Sequence, residues 1–121
     1  MALYAFVAPI QPNKSEEFRQ FIKDLNGSRK AEYEASRAKA GFQRESMFLQ
    51  KTPQGEMVVV IQEADSQKDA LESLRGMKDS FGDWFFQKLK DLHGIDLVGT
   101  DVPPNELLLD FRSDNMSEDP T

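Results

Sequence analysis

The chain has 121 residues, no cysteine and a formal charge of −6. That length sets one domain with a core large enough to stand without staples, and the missing cysteines exclude disulfides, thiolate metal sites and cysteine nucleophiles. The acidic balance, with no basic cluster, argues against nucleic acid and anionic membranes as partners.

Residues 3–8, Leu3-Tyr4-Ala5-Phe6-Val7-Ala8, read as a first strand ended by Pro9 and Pro12. No positive region precedes this run and it is too short to span a bilayer, so a strand is favoured over a signal peptide. With no cysteine to oxidise, the expected compartment is the cytoplasm. Asn13 and Glu16 have the spacing of a capping box. Phe18, Phe21, Ile22 and Leu25 then fall on one helical face. Asn26-Gly27-Ser28 predicts a kink or break. A second helical stretch runs to about Ala40, with a small-residue stripe at Ala31, Ala35 and Ala38 and a C-cap at Gly41.

Residues 43–50 read as a second strand of mixed polarity, which suits a sheet edge. Thr52-Pro53-Gln54-Gly55 is a turn. The third strand, about residues 56–64, contains Met57-Val58-Val59-Val60-Ile61. Ser66 is placed to cap a short helix with Ala70, Leu71 and Leu74. Ser80, with Asp83 three residues on, is placed to cap a last helix that carries Phe81, Trp84, Phe85 and Leu92 and ends at Gly94. After Pro103-Pro104, residues 107–111 read as a fourth strand. The expected division is a domain over residues 1–111 and a disordered acidic tail over 112–121.

This order, βαββαβ, predicts an α+β fold: a ferredoxin-like antiparallel sheet in strand order 4-1-3-2, with helices on one face. The first and third strands should then be central. Both are apolar on both faces, whereas a sheet with one wet face alternates apolar and polar residues. Helices cover one face only. The simplest cover for the other is a second copy, so a homodimer is expected.

Further along, the residues resemble a family. Ser36-Arg37, Gly41, Glu45, Phe48-Leu49-Gln50, Thr52-Pro53, Gly55 and Glu63 are similar to an uncharacterised family of small bacterial proteins. So are Phe81, Trp84-Phe85 and His93-Gly94-Ile95-Asp96-Leu97. The resemblance covers roughly residues 3–98. It implies a branch of the dimeric α/β-barrel superfamily, in which two ferredoxin-like sheets pack face to face around a cavity. It implies no agreed activity.

The candidate site residues each have two readings. His93, the single histidine, either complements a helix C-terminus or makes an acid/base or ligand contact. Trp84 and Phe85 are core aromatics or the border of a cavity. Glu45 and Glu63 on neighbouring strands form either a carboxylate pair with one raised pKa or an edge bridged to Arg44 or Arg37. Arg37 is a fork for a ligand carboxylate, or pairs with Glu34. Phe6, Val58 and Val60 are expected to line the cavity between opposed sheets.

No nucleotide motif and no metal-ligand spacing is present, so neither cofactor nor metal is expected. The leading expectation is a homodimer that binds a small, mainly apolar ligand, a fatty-acid-like or aromatic acid, with Arg37 or Arg44 at its head. One alternative follows from the resemblance: a cofactor-independent or haem-degrading monooxygenase. It is supported by a tryptophan and a histidine on the helical layer and opposed by the missing asparagine on the first strand. The other alternative is a structural dimer with no ligand.

Overall fold

The structure is a computed structural model and describes residues 2–94 and 106–113. The elements in chain order are β1 (Ala2–Pro9), α1 (Ser15–Asn26), α2 (Lys30–Ala40), β2 (Phe42–Thr52), β3 (Gly55–Ala64), α3 (Gln67–Arg75) and α4 (Ser80–His93). The three strands form one antiparallel sheet in the order β1-β3-β2. The fold is α+β, with this sheet and four helices among the described residues.

Two expectations about the sheet are corrected. Residues 107–111 are not a strand; residues 106–113 are irregular, and Leu108, Leu109 and Phe111 are largely exposed. Leucine, which dominates this run, has little of the β-branched preference for a pleated surface that the valines of β3 supply. Consequently β1 lies at a sheet edge and only β3 is central. The tail proposed from residue 112 lies, beyond Ser113, outside the described residues, as do Ile95, Asp96 and Leu97.

The pleat sends Tyr4, Phe6 and Ala8 to the same side as Val58, Val60 and Gln62. The helices pack there. Ile10, Phe18, Phe21, Leu25, Val58 and Val60 join Phe81, Phe85 and Leu92 in the main core. Phe42 and Ala64 form a smaller cluster with Ala70 and Leu74 of α3. Phe21 and Leu92 are almost wholly buried, and burying a side chain of that size is worth about 1.5–3 kcal/mol.

The opposite face carries Leu3, Ala5, Val7, Met57, Val59 and Ile61, joined by Phe48 from β2. Cross-strand register sets Val7 beside Val59 and Val59 beside Phe48. No helix or strand covers this face among the described residues, and residues 110–113 border a groove along part of it. The missing alternation in β1 and β3 is therefore real, and in a single chain it leaves Val7 60% and Phe48 58% exposed.

The helix ends differ in part from the expected pattern. Asn13 does not cap α1; it sits at φ 66 and Lys14 occupies the N-cap position. Asp79, not Ser80, caps α4, accepting from the Gly82 amide at 2.7 Å. A carboxylate one residue earlier reaches the same orphan N–H groups and adds its charge to the helix dipole. Ser66 caps α3 as expected, accepting from the Asp69 amide. Gly41 ends α2 in the left-handed region.

Candidate functional site

The site begins with an irregularity in β2. Phe42 pairs with Ala64, but Arg44 pairs with Glu63, so one extra residue, Gln43, is inserted. A β-bulge of this kind re-aims every side chain after it. Without it Arg44 would lie opposite Gln62 on the helix side. With it Glu45 takes that place and Arg44 turns to the open face.

Glu45 is thereby driven under α2. The Arg37 Nε donates to its Oε1 at 2.9 Å, the Tyr33 hydroxyl donates to the same oxygen at 2.5 Å, and the Gln62 amide donates to Oε2 at 2.7 Å. Both side chains of the ion pair are buried, 9% exposed for Arg37 and 4% for Glu45. Gln67 donates to Gln62, and Arg37 Nη1 donates to the Ser36 hydroxyl. The Arg37 guanidinium is stacked between aromatic rings, 4.7 Å from the Tyr33 centroid and 4.5 Å from that of Phe85. No buried side-chain polar atom lacks a partner among the described residues.

Burial alone would raise the Glu45 pKa. The charge of Arg37 and the hydrogen bonds from Tyr33, Gln62 and Arg37 more than offset it and hold the carboxyl below its ordinary range. The Tyr33 hydroxyl is pushed well above its ordinary value, first by burial and then by the adjacent carboxylate. Glu45 is accordingly a fixed anion and Tyr33 a fixed donor, which suits positioning better than proton transfer.

Beside this network lies a cavity of about 70 Å³ between the sheet and the helices. Its walls are mostly apolar, with Phe6, Ala8, Met47, Val58, Val60 and Leu89 among them. Arg37, Glu45, Gln62, Arg75 and His93 supply the polar lining. His93 closes one end. Its Nδ1 lies 2.8 Å from the Pro9 carbonyl oxygen. A carbonyl only accepts, so Nδ1 carries the proton and Nε2 of the neutral ring is an acceptor. Burial pushes the imidazole below its ordinary pKa, partly countered by the bond to Pro9. The Gln11 amide also donates to the Leu92 carbonyl, so the end of β1 is tied to the end of α4 at this point.

The structure thus brings Phe6, Arg37, Glu45, Val58, Val60, Phe85 and His93 to one cavity. That cavity is on the helix side of the sheet, and Phe6, Val58 and Val60 face the helices rather than an opposed sheet. Arg44 and Glu63 stand on the other face, directly opposite each other in register. Glu45 and Glu63 are therefore on opposite sides of the sheet and make no carboxylate pair. The bridge of Glu45 to Arg37 is present, and the partner of Arg37 is not Glu34, which is exposed. Trp84 packs on Phe21 and Phe81 with Arg29 over its ring at 4.4 Å, and is not among the cavity-lining residues.

Sequence reasoning missed Tyr33, Ser36, Gln62 and Gln67. The signal was a polar stripe. Tyr33, Ser36, Arg37 and Ala40 recur at i, i+3, i+4 and i+7, the same spacing that marks an apolar helix face. Among the described residues no group of histidine, cysteine and carboxylate side chains could hold a metal ion. No helix of the described residues is long and apolar enough to cross a membrane.

Residues 1–91 match a family of unknown function, DUF6176, and the chain belongs to that family. No curated protein and no solved structure matches the chain.

Proposed function

We propose that this chain acts as a homodimer and binds a small, mainly apolar ligand in the cavity between sheet and helices. The observation that carries the binding reading is the cavity itself: an apolar space lined also by the buried Arg37–Glu45 ion pair and by His93. Small-molecule sites combine mostly apolar walls with a few placed polar groups. A cavity of about 150 Å³ holds benzene. The volume of about 70 Å³ here accordingly admits a few heavy atoms, such as one edge of a ring, unless α3 and α4 part.

At that size the end of a fatty-acid chain enters as readily as the edge of a ring, so the volume favours neither acid class. Arg44 lies on the far side of the sheet, and of the two arginines only Arg37 borders the cavity, with its Nε held by Glu45 and its Nη1 by Ser36. We assign a further polar contact to His93 Nε2, accepting from a phenolic hydroxyl, which keeps its proton where the imidazole is neutral.

Titration of the purified protein with phenol, benzoic acid, octanoic acid and haem, followed by NMR, tests the reading. Phenol or benzoic acid should shift the Val58, Val60 and His93 resonances and saturate. Ala8→Leu, which fills the cavity, should abolish those shifts with the fold intact. No saturable shift, together with a higher melting temperature for Ala8→Leu, would reduce the cavity to a packing gap and leave the structural dimer. Tight haem binding that His93→Ala removes would favour the monooxygenase instead.

A further inference from the structure

Residues 106–113 are the least economical part of the described chain. Leu108 is 83% exposed, Leu109 85% and Phe111 83%. Isolated exposed leucines need no explanation, but a contiguous apolar run does. The run lies beside the open face of the sheet. Asp110, Phe111, Arg112 and Ser113 border the same groove as Leu3, Arg44, Phe48, Ile61 and Glu63. Its own chain therefore holds the segment against the sheet, yet buries neither Leu108 nor Leu109. Asp110 pairs with Arg112 at 3.8 Å on the same stretch.

We infer that residues 107–111 form an apolar arm that packs against a second copy of this chain, extending the interface made by the open sheet face. This inference rests on the homodimer reading above. Area is its first support. Three strands about 4.8 Å apart and roughly 30 Å long present a face of about 400 Å². A stable interface takes about 800 Å² of accessible surface from each partner, and residues 110–113 already lie along part of this face. Leu107, 55% exposed, and the largely exposed Leu108, Leu109 and Phe111 enlarge the apolar surface available to a partner.

Continuity and charge are the second support. Phe111 of the arm borders the same groove as Phe48 and Ile61, and Phe48 adjoins Val59 and Val7 across the sheet, so the arm reaches the apolar row on this side. Arg44 and Glu63, opposite each other in register, line that groove together with Asp110 and Arg112. A two-fold interface buries the same patch from both partners, so a patch that carries both signs can meet itself without repulsion. The occupant that fits this surface is another copy.

The absence of native cysteine allows single reporters. Leu108→Cys and Val7→Cys, made separately in the full chain, are labelled with a thiol reagent at 1 µM and at 200 µM protein. Sedimentation equilibrium runs alongside, on the wild type and on a Leu108→Ser/Leu109→Ser variant. Both thiols should react at least tenfold more slowly in the concentrated, dimeric sample, and the double serine variant should raise the dimer Kd at least tenfold with an unchanged far-UV spectrum. Protection of Val7→Cys alone, with an unchanged Kd for the serine variant, overturns the arm and leaves the sheet-to-sheet dimer standing. A wild type that stays monomeric at 200 µM with both thiols reactive overturns the dimer itself, and the arm with it.

Discussion

Two side chains decide what the site can do, and their neighbours decide how. Arg37 and Glu45 are an ion pair with almost no contact with water. Breaking such a pair costs about 3–5 kcal/mol, whereas replacing both partners with apolar groups is often neutral. Its worth is therefore positional: it fixes α2 over β2 and gives the cavity one rigid side. As a lowered carboxylate, Glu45 stabilises the fold above its ordinary pKa, and this contribution is lost as the pH falls through the folded value. His93 acts in a higher window. Its folded pKa is depressed from the ordinary 6.5. The unfolded chain takes up a proton near pH 6.5 and the folded chain only below that, so between the two values the unfolded state binds more protons and stability falls with the pH. No other histidine exists to contribute. Urea unfolding at pH 8, 7, 6 and 5 should show full stability above pH 7 and a loss that begins below 6.5. His93→Gln should flatten that limb. The same slope in both proteins would assign the loss to another group.

At the scale of elements, close packing at the start of α4 makes a sharp demand. A Cβ on Gly82 would lie 2.8 Å from the Met77 carbonyl oxygen and 3.1 Å from the capping oxygen of Asp79. On Gly76 the nearest atom would be the Glu72 oxygen at 3.5 Å, an ordinary contact, and the backbone there is helical. Gly82→Ala should therefore destabilise by about 1–3 kcal/mol through backbone displacement, while Gly76→Ala should stabilise by about 0.4–1 kcal/mol through the unfolded state. Thermal melts check both, and a Gly82→Ala protein as stable as the wild type would mean the loop at Met77 yields freely. The elements themselves were legible wherever one period dominated: α1 through Phe18, Phe21 and Leu25, β3 through its valine run, and α2 through its glycine stop. What was not legible came from geometry that has no periodic trace. Alternation along β2 placed Glu45 with Met47 and Leu49 on one face, as the register shows, but the bulge at Gln43, which puts Phe42 on that same face, left no periodic trace. The alanines at 31, 35 and 38 marked the exposed side of α2, because the buried side is lined by Tyr33, Ser36 and Arg37, whose polarity is paid for by the Glu45 network. The last apolar run was read as a strand because composition alone does not distinguish a sheet strand from an exposed arm.

At the scale of the whole molecule, the two sheet faces differ in what holds them. Val60 and Phe6 face the helices; Val7 and Phe48 face outward. Apolarity on both faces was readable in the sequence, but which residues met helices and which met solvent depended on register. A charge on each face should therefore fail in a different way. Val60 is 4% exposed in the main core. An aspartate there is an unpaired buried charge, which a domain with only about 5–15 kcal/mol of stability does not absorb, so Val60→Asp should unfold the chain. Phe48→Asp or Val7→Asp meets water in the free chain and a second apolar sheet only in the proposed dimer. Either should keep the native far-UV spectrum and a cooperative melt while shifting the sedimentation coefficient from dimer to monomer. The comparison separates folding from assembly, since both kinds of substitution place the same group on the same sheet. Were Phe48→Asp and Val7→Asp both to sediment as the wild-type dimer, the open face would not be the contact. Were Val60→Asp to stay folded, the helices would not close over that face as described.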